Sequence, residues 1–149
     1  MTGSPRNDWL LVGGGLSMAA AVLHLACIAG GPGWYRALGA GDRMARMVEA
    51  GRLGPLVVTV AIAAVLAAFG AYAWSGAGVL PRLPFLRPVL IAITSFYMVR
   101  GFALFAPSMM RRPDLSPAFL LWSSAIVLGL GLVHLAGIWR GWSALQGVS

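Results

Sequence analysis

The sequence predicts an all-α integral membrane protein: an antiparallel four-helix transmembrane bundle with a short interfacial amphipathic helix between spans 1 and 2. Of the 149 residues, 59% are hydrophobic and only 10% are charged, whereas a soluble domain of this size has about 25% charged residues. So few charges cannot cover the surface of a soluble globule, and the high hydrophobic fraction excludes intrinsic disorder. Four apolar stretches are each long enough to cross about 30 Å of hydrocarbon.

The four predicted spans follow one another within a single domain. The first covers about residues 9–30 and contains no charged residue. The others cover about residues 55–75, 88–110 and 117–140, and each begins with a proline. Proline suits the first position of a helix, where its missing N–H would have no partner in any case. The glycines and proline of residues 30–33 are expected to end the first span.

The connection between the first two spans contains the predicted amphipathic helix, at about residues 42–52. Apolar residues such as Met44 and Val48 fall on one face, and charged residues surround the other. Asp42 and Arg46 are four residues apart, so we expect them to form an ion pair. This pattern is typical of a helix that lies in the membrane interface. It is either a connector on the headgroups or a lid over an opening between the spans.

The charge is almost entirely arginine: eleven arginines, no lysine and four acidic residues give a net charge of +7. In a membrane protein such an excess indicates loops that face anionic headgroups, so we expect a lipid bilayer as partner and no nucleic acid. Four arginines lie on the side of both termini and six on the opposite side. The difference favours termini outside the cytoplasm, and we expect location in a bacterial inner membrane.

Arg100 is the one arginine inside a predicted span, and no span contains an acidic residue. A charged arginine at the centre of a bilayer costs about 2.5–3.5 kcal/mol on insertion scales, so something must compensate for it. We take it to lie too deep for its side chain to reach the headgroups. The candidate partners are helix carbonyls, Tyr97 one turn earlier, a loop that dips inward, water or an anionic ligand. A purely structural arginine is the alternative.

The two histidines, His24 and His134, lie in similar apolar sequences of the first and last spans. The similarity suggests a haem or metal site between them. Antiparallel spans, however, displace the two side chains by about 13 Å along the membrane normal, which is too far for one haem iron. We therefore predict no cofactor and no metal site, with haem or quinone left open as alternatives. Each histidine is either a structural residue or a group that binds a ligand or handles protons.

The polar residues of the spans form a sparse set around a possible central cavity. Ser123 and His134 are eleven residues apart, about three helical turns, and so share a face. We assign no catalytic residue. The candidate ligand-binding residues are Arg100, Tyr97, His24, His134, Ser17 and Ser123.

Small residues recur at helical spacing on the first and last spans, as at Gly13, Ser17 and Ala21. Small side chains let helices approach closely where lipid supplies no hydrophobic driving force. We expect such faces to pack against other helices, either in this chain or in a homo- or hetero-oligomer.

Three functions remain on sequence grounds. The first is binding or transport of an amphiphilic or anionic small molecule in an intramembrane cavity around Arg100. The second is an accessory or assembly subunit of a membrane complex with no site of its own. The third is a membrane-embedded enzyme that acts on lipid or quinone with a histidine as acid or base. The lack of carboxylates in the spans weighs against the enzyme.

Overall fold

The computed structural model describes residues 6–102, residue 115 and residues 117–146. Every regular element in these ranges is a helix, and no strand occurs there. Three of the helices, Asp8–Ala37, Gly54–Gly76 and Pro117–Arg140, are long and apolar enough to cross a membrane, which supports an integral membrane location. The helices are α1 (Asp8–Ala37), α2 (Asp42–Glu49), α3 (Gly54–Gly76), α4 (Leu86–Phe102), α5 (Pro117–Arg140) and α6 (Trp142–Leu145).

Each of the four long helices begins within two residues of a predicted span start. Helices α3 and α5 begin within one residue of the prolines expected at their starts. Helix α4 begins at Leu86, two residues before the predicted start. The predicted third span runs to residue 110, but residues 103–110 lie outside the described residues. The fourth crossing, and with it the four-span bundle, therefore stays a prediction.

Helix α1 is longer than the predicted span because the chain resumes the helix after a kink. The side chain of Asn7 caps its start by accepting a hydrogen bond from the Leu10 N–H. Gly31 has φ 67° and ψ −160°, a conformation open to glycine but not to residues with a β-carbon. Pro32 follows and removes a backbone donor. The glycine-rich segment thus redirects the helix instead of ending it.

The long helices pack in a closed ring in the order α1, α3, α4, α5. Helices α1 and α3 run antiparallel, and the Trp74 indole N–H near the end of α3 donates to the Leu11 carbonyl near the start of α1 (3.2 Å). Helices α1 and α5 are also antiparallel, since the Asn7 side chain donates to the Gly137 carbonyl (2.8 Å). We call the end of the ring that carries Asn7 the termini end. The opposite end, where α3 and α5 begin, is the α2 end.

Helix α2 packs on α1 at the α2 end. Ala45 is fully buried in a small cluster with Cys27 and Tyr35 of α1. The predicted pair of Asp42 and Arg46 is present. The helix ends at Glu49 instead of near residue 52, where the chain turns. Its position in a membrane interface stays a prediction.

Candidate functional site

Three of the six predicted site residues meet in the middle of the ring. Ser17 of α1, Tyr97 of α4 and His134 of α5 are each no more than 2% exposed. The Ser17 and Tyr97 hydroxyl oxygens are hydrogen-bonded at 2.9 Å, and the Tyr97 and His134 ring centres are 5.2 Å apart. We call these three residues the interior polar cluster.

Gly13 makes room for this cluster. A β-carbon at Gly13 would lie 2.9 Å from Cε1 and 3.0 Å from Nδ1 of His134, closer than β-carbons normally approach. Ser17 is one turn further along the same face of α1, so the predicted stripe of small residues packs against α4 and α5. Small residues on α1 thus leave space in the interior for the Tyr97 and His134 rings.

His134 is bonded on one side of its ring only. Its Nδ1 is 2.8 Å from the Leu130 carbonyl, so this nitrogen donates and carries the hydrogen. Nε2 is then an acceptor, and it is buried without a hydrogen-bond partner among the described residues. His24 makes the equivalent bond to the Ala20 carbonyl at 2.8 Å but is only partly buried.

The two histidines are far apart. His134 lies against Gly13, and His24 is eleven residues further along α1, about 16 Å at the rise of a helix. One haem iron cannot bind both in a single chain. Among residues 6–102 and 117–146, no three His, Cys, Asp or Glu side chains form a group that could hold a metal ion.

Arg100 lies outside the interior polar cluster and contacts α5. Its Nη1 is 3.5 Å from the Ser124 hydroxyl oxygen, a long hydrogen bond to a residue that is 2% exposed. The predicted Ser123 instead donates to the Leu120 carbonyl of its own helix (3.2 Å). Ser124 was not among the partners that the sequence suggested for Arg100. We call Arg100 and Ser124 the arginine site.

The Arg100 side chain extends along α5 toward the α2 end. Close contacts of Gly101 with Leu128 and of Gly131 with Met98 fix how α4 and α5 align. In that alignment Ser124 lies about 7.5 Å closer to the start of α5 than the level of the Arg100 backbone. It lies about 10 Å from Pro117. The guanidinium is therefore off-centre, displaced toward the α2 end of the bundle. The expectation that Arg100 lies too deep to reach the headgroups stays a prediction.

The carboxylates of the described residues are paired with other arginines. Asp8 pairs with Arg6 at 3.2 Å. Arg36 pairs with Asp42 at 3.0 Å and with Glu49 at 2.7 Å. The remaining acid of the chain, Asp114, lies outside the described residues.

The Tyr97 hydroxyl is bonded to Ser17, so it is not the partner that the sequence suggested for Arg100. Among the described residues, the Arg100 guanidinium thus meets a neutral hydroxyl and no carboxylate.

Two of the clefts that the described residues form lie toward the termini end. One, of about 640 Å³, runs between α4 and α5. The other, of about 780 Å³, has a mixed polar and apolar lining and is bordered by Arg6, Arg82 and Arg140. Arg100 is not among the residues that line either cleft. The predicted cavity around Arg100 therefore stays a prediction.

Comparison with known proteins does not assign this chain to a family. The chain matches no protein-family model, no curated protein and no solved structure.

Proposed function

We propose that this chain is a membrane-spanning protein that binds an anionic amphiphile at the arginine site. The observation that carries the proposal is the Arg100 guanidinium, which has the Ser124 hydroxyl at 3.5 Å as its polar partner among the described residues. A neutral hydroxyl leaves the charge of an intramembrane arginine unneutralised, and such residues are typically paired in membrane proteins. An anionic headgroup supplies the missing charge.

The off-centre position of the guanidinium supports a headgroup as ligand. Ser124 is about 10 Å from the start of α5, so the site lies nearer the α2 end than the middle of the span. The predicted excess of arginines on that side, six against four, favours a position toward the cytoplasm. Anionic lipids give the cytoplasmic leaflet a negative surface potential that attracts arginines. A lipid phosphate and the carboxylate of a fatty acid are both anions that can accept hydrogen bonds from the Arg100 guanidinium.

The two alternative functions have less support. Small residues that an accessory subunit needs for contact with partners, such as Gly13, Gly131 and Gly137, already pack against helices of the same chain. An enzyme would need an acid or a base in the interior. The His134 imidazole lies there, but no described carboxylate forms a hydrogen bond that orients it. Anion binding is the function that the unneutralised arginine favours.

Native mass spectrometry of the detergent-solubilised chain tests the proposal. The probes are phosphatidylglycerol and phosphatidylcholine with identical acyl chains, with inorganic phosphate as a third arm. We expect preferential binding of phosphatidylglycerol, and we expect Arg100→Leu to weaken that binding about fivefold. One arginine near an anionic lipid contributes about 1 kcal/mol, which corresponds to that factor.

The controls separate this site from general surface charge. Arg100→Lys keeps the charge and should retain most of the preference. Arg43→Gln removes an exposed arginine on α2, at the same end of the bundle, and should leave the affinity nearly unchanged. Equal phosphatidylglycerol affinities of the wild type and Arg100→Leu would contradict the proposal. So would tighter binding after Asp114→Asn, because Asp114 would then already neutralise Arg100.

A further inference from the structure

The cleft between α4 and α5 at the termini end is open and almost entirely apolar. It extends over about 6 Å of α5, from Leu135 to Trp139, and on to Trp142 at the start of α6. On α4 its wall includes Thr94, whose hydroxyl is satisfied because it donates to the Leu90 carbonyl (2.8 Å). The lining residues are Ile91, Thr94, Ser95, Leu135, Ile138, Trp139 and Trp142.

This cleft has the size of a ligand site and faces away from the ring. Its volume of about 640 Å³ falls within the range of small-molecule pockets, about 300–1,000 Å³. Ile91 is 41% exposed and Trp139 is 82% exposed. Inside a bilayer these side chains meet lipid, so the molecules that reach the cleft are membrane lipids.

Positive charge lies at one mouth of the cleft. The Arg87 guanidinium carbon lies 3.6 Å from the centre of the Trp142 ring, over its face. Arg140 follows Trp139 in sequence and lies over the Trp9 ring at 5.4 Å. The ion pairs of the described residues involve neither Arg87 nor Arg140. Both arginines are near the ends of their helices, at the level where headgroups lie.

We propose that this cleft binds one membrane lipid whose anionic headgroup lies against Arg87. The part of an acyl chain next to the headgroup occupies the apolar cleft, and the aromatic ring of Trp142 separates the apolar from the charged part of the site. Charge complementarity selects an anionic headgroup over a zwitterionic one. This lipid lies at the termini end, in the leaflet opposite to the one proposed for the arginine site.

The test counts lipids retained by the full-length chain after transfer from vesicles with equal amounts of phosphatidylglycerol and phosphatidylcholine. Ile91→Trp fills the cleft, and we expect it to lose one retained lipid. Val99→Trp is the matched control, because it adds the same bulk to α4 at a residue that is 72% exposed and does not line the cleft. Arg87→Gln should lower the preference for phosphatidylglycerol at this site about fivefold.

Arg100→Leu should leave the lipid in this cleft in place. The result for the cleft is therefore independent of the result for the arginine site. Equal lipid retention by Ile91→Trp and Val99→Trp would overturn the proposal. So would a dimer mass that Ile91→Trp abolishes, because the cleft would then bind a second copy of the chain. An unchanged headgroup preference in Arg87→Gln would also overturn it.

Discussion

Tyr97 and Arg100 are three residues apart on α4, but neighbouring protein atoms satisfy them to different extents. Tyr97 is 2% exposed, bonds Ser17 at 2.9 Å and packs against His134. Arg100 is partly buried and reaches one neutral hydroxyl at 3.5 Å. The interior polar cluster thus joins three helices, α1 to α4 by a hydrogen bond and α4 to α5 by packing of two rings. The arginine site keeps a charge that the described residues do not neutralise.

This difference separates a contribution to stability from a contribution to binding. Changes in the interior polar cluster should lower the free energy of unfolding and leave the selectivity for anionic lipid nearly intact. Changes at Arg100 should do the reverse, because they remove a charge that no described residue neutralises and, with it, the cost expected for placing that charge in a membrane. The following predictions test the first half of this statement.

The largest effect is expected for Gly13→Leu. The new side chain would overlap the His134 ring, since even a β-carbon would lie 2.9 Å from it. We expect a loss of about 3 kcal/mol in the free energy of unfolding, measured by denaturation in detergent. Gly15→Leu is the matched control, because a β-carbon at Gly15 meets nothing within 4 Å. Equal losses in the two variants would show that Gly13 does not make room for His134.

A smaller effect is expected when His134 is shortened. His134→Ala leaves a cavity in the interior and should cost about 2 kcal/mol. His134→Leu fills most of that space and removes the buried Nε2 without a described partner, so it should cost less than about 1.5 kcal/mol. If the leucine variant were as unstable as the alanine variant, the imidazole would contribute through a polar contact instead of packing. His24→Ala, at a partly exposed position, should cost about 0.5 kcal/mol or less.

The smallest effect is expected for the hydrogen bond between Ser17 and Tyr97. Tyr97→Phe should lower the free energy of unfolding by about 0.6 kcal/mol, the average for bonds between membrane helices. In the double variant with Ser17→Ala the two losses should not add, because each substitution removes the same bond. Fully additive losses would mean that the 2.9 Å contact contributes nothing measurable.

The sequence predicted the parts of the fold that depend on local pattern. Span starts followed from prolines, and the pair of Asp42 and Arg46 followed from helical spacing. The kink at Gly31 was not predicted, because glycine and proline together permit either an end or a change of direction. That choice depends on the packing of α2 against α1, which the local sequence does not specify.

The site was harder to predict because it depends on which residues of neighbouring helices contact each other. His24 and His134 have similar neighbours in sequence and bond the same carbonyl position, four residues earlier. The partner helix alone distinguishes them, since Gly13 leaves space for one ring. Ser124 contacts Arg100 because of how α4 and α5 align, and the spacing of residues within one helix does not specify that alignment.

The central claim is that an anionic headgroup neutralises Arg100. A structure of the chain in nanodiscs that contain phosphatidylglycerol tests it most directly, by the group found within hydrogen-bonding distance of the Arg100 guanidinium. We predict headgroup density there, next to the Ser124 hydroxyl and absent in Arg100→Leu. A carboxylate of the chain itself at that position, with Asp114 as the remaining candidate, would contradict the claim.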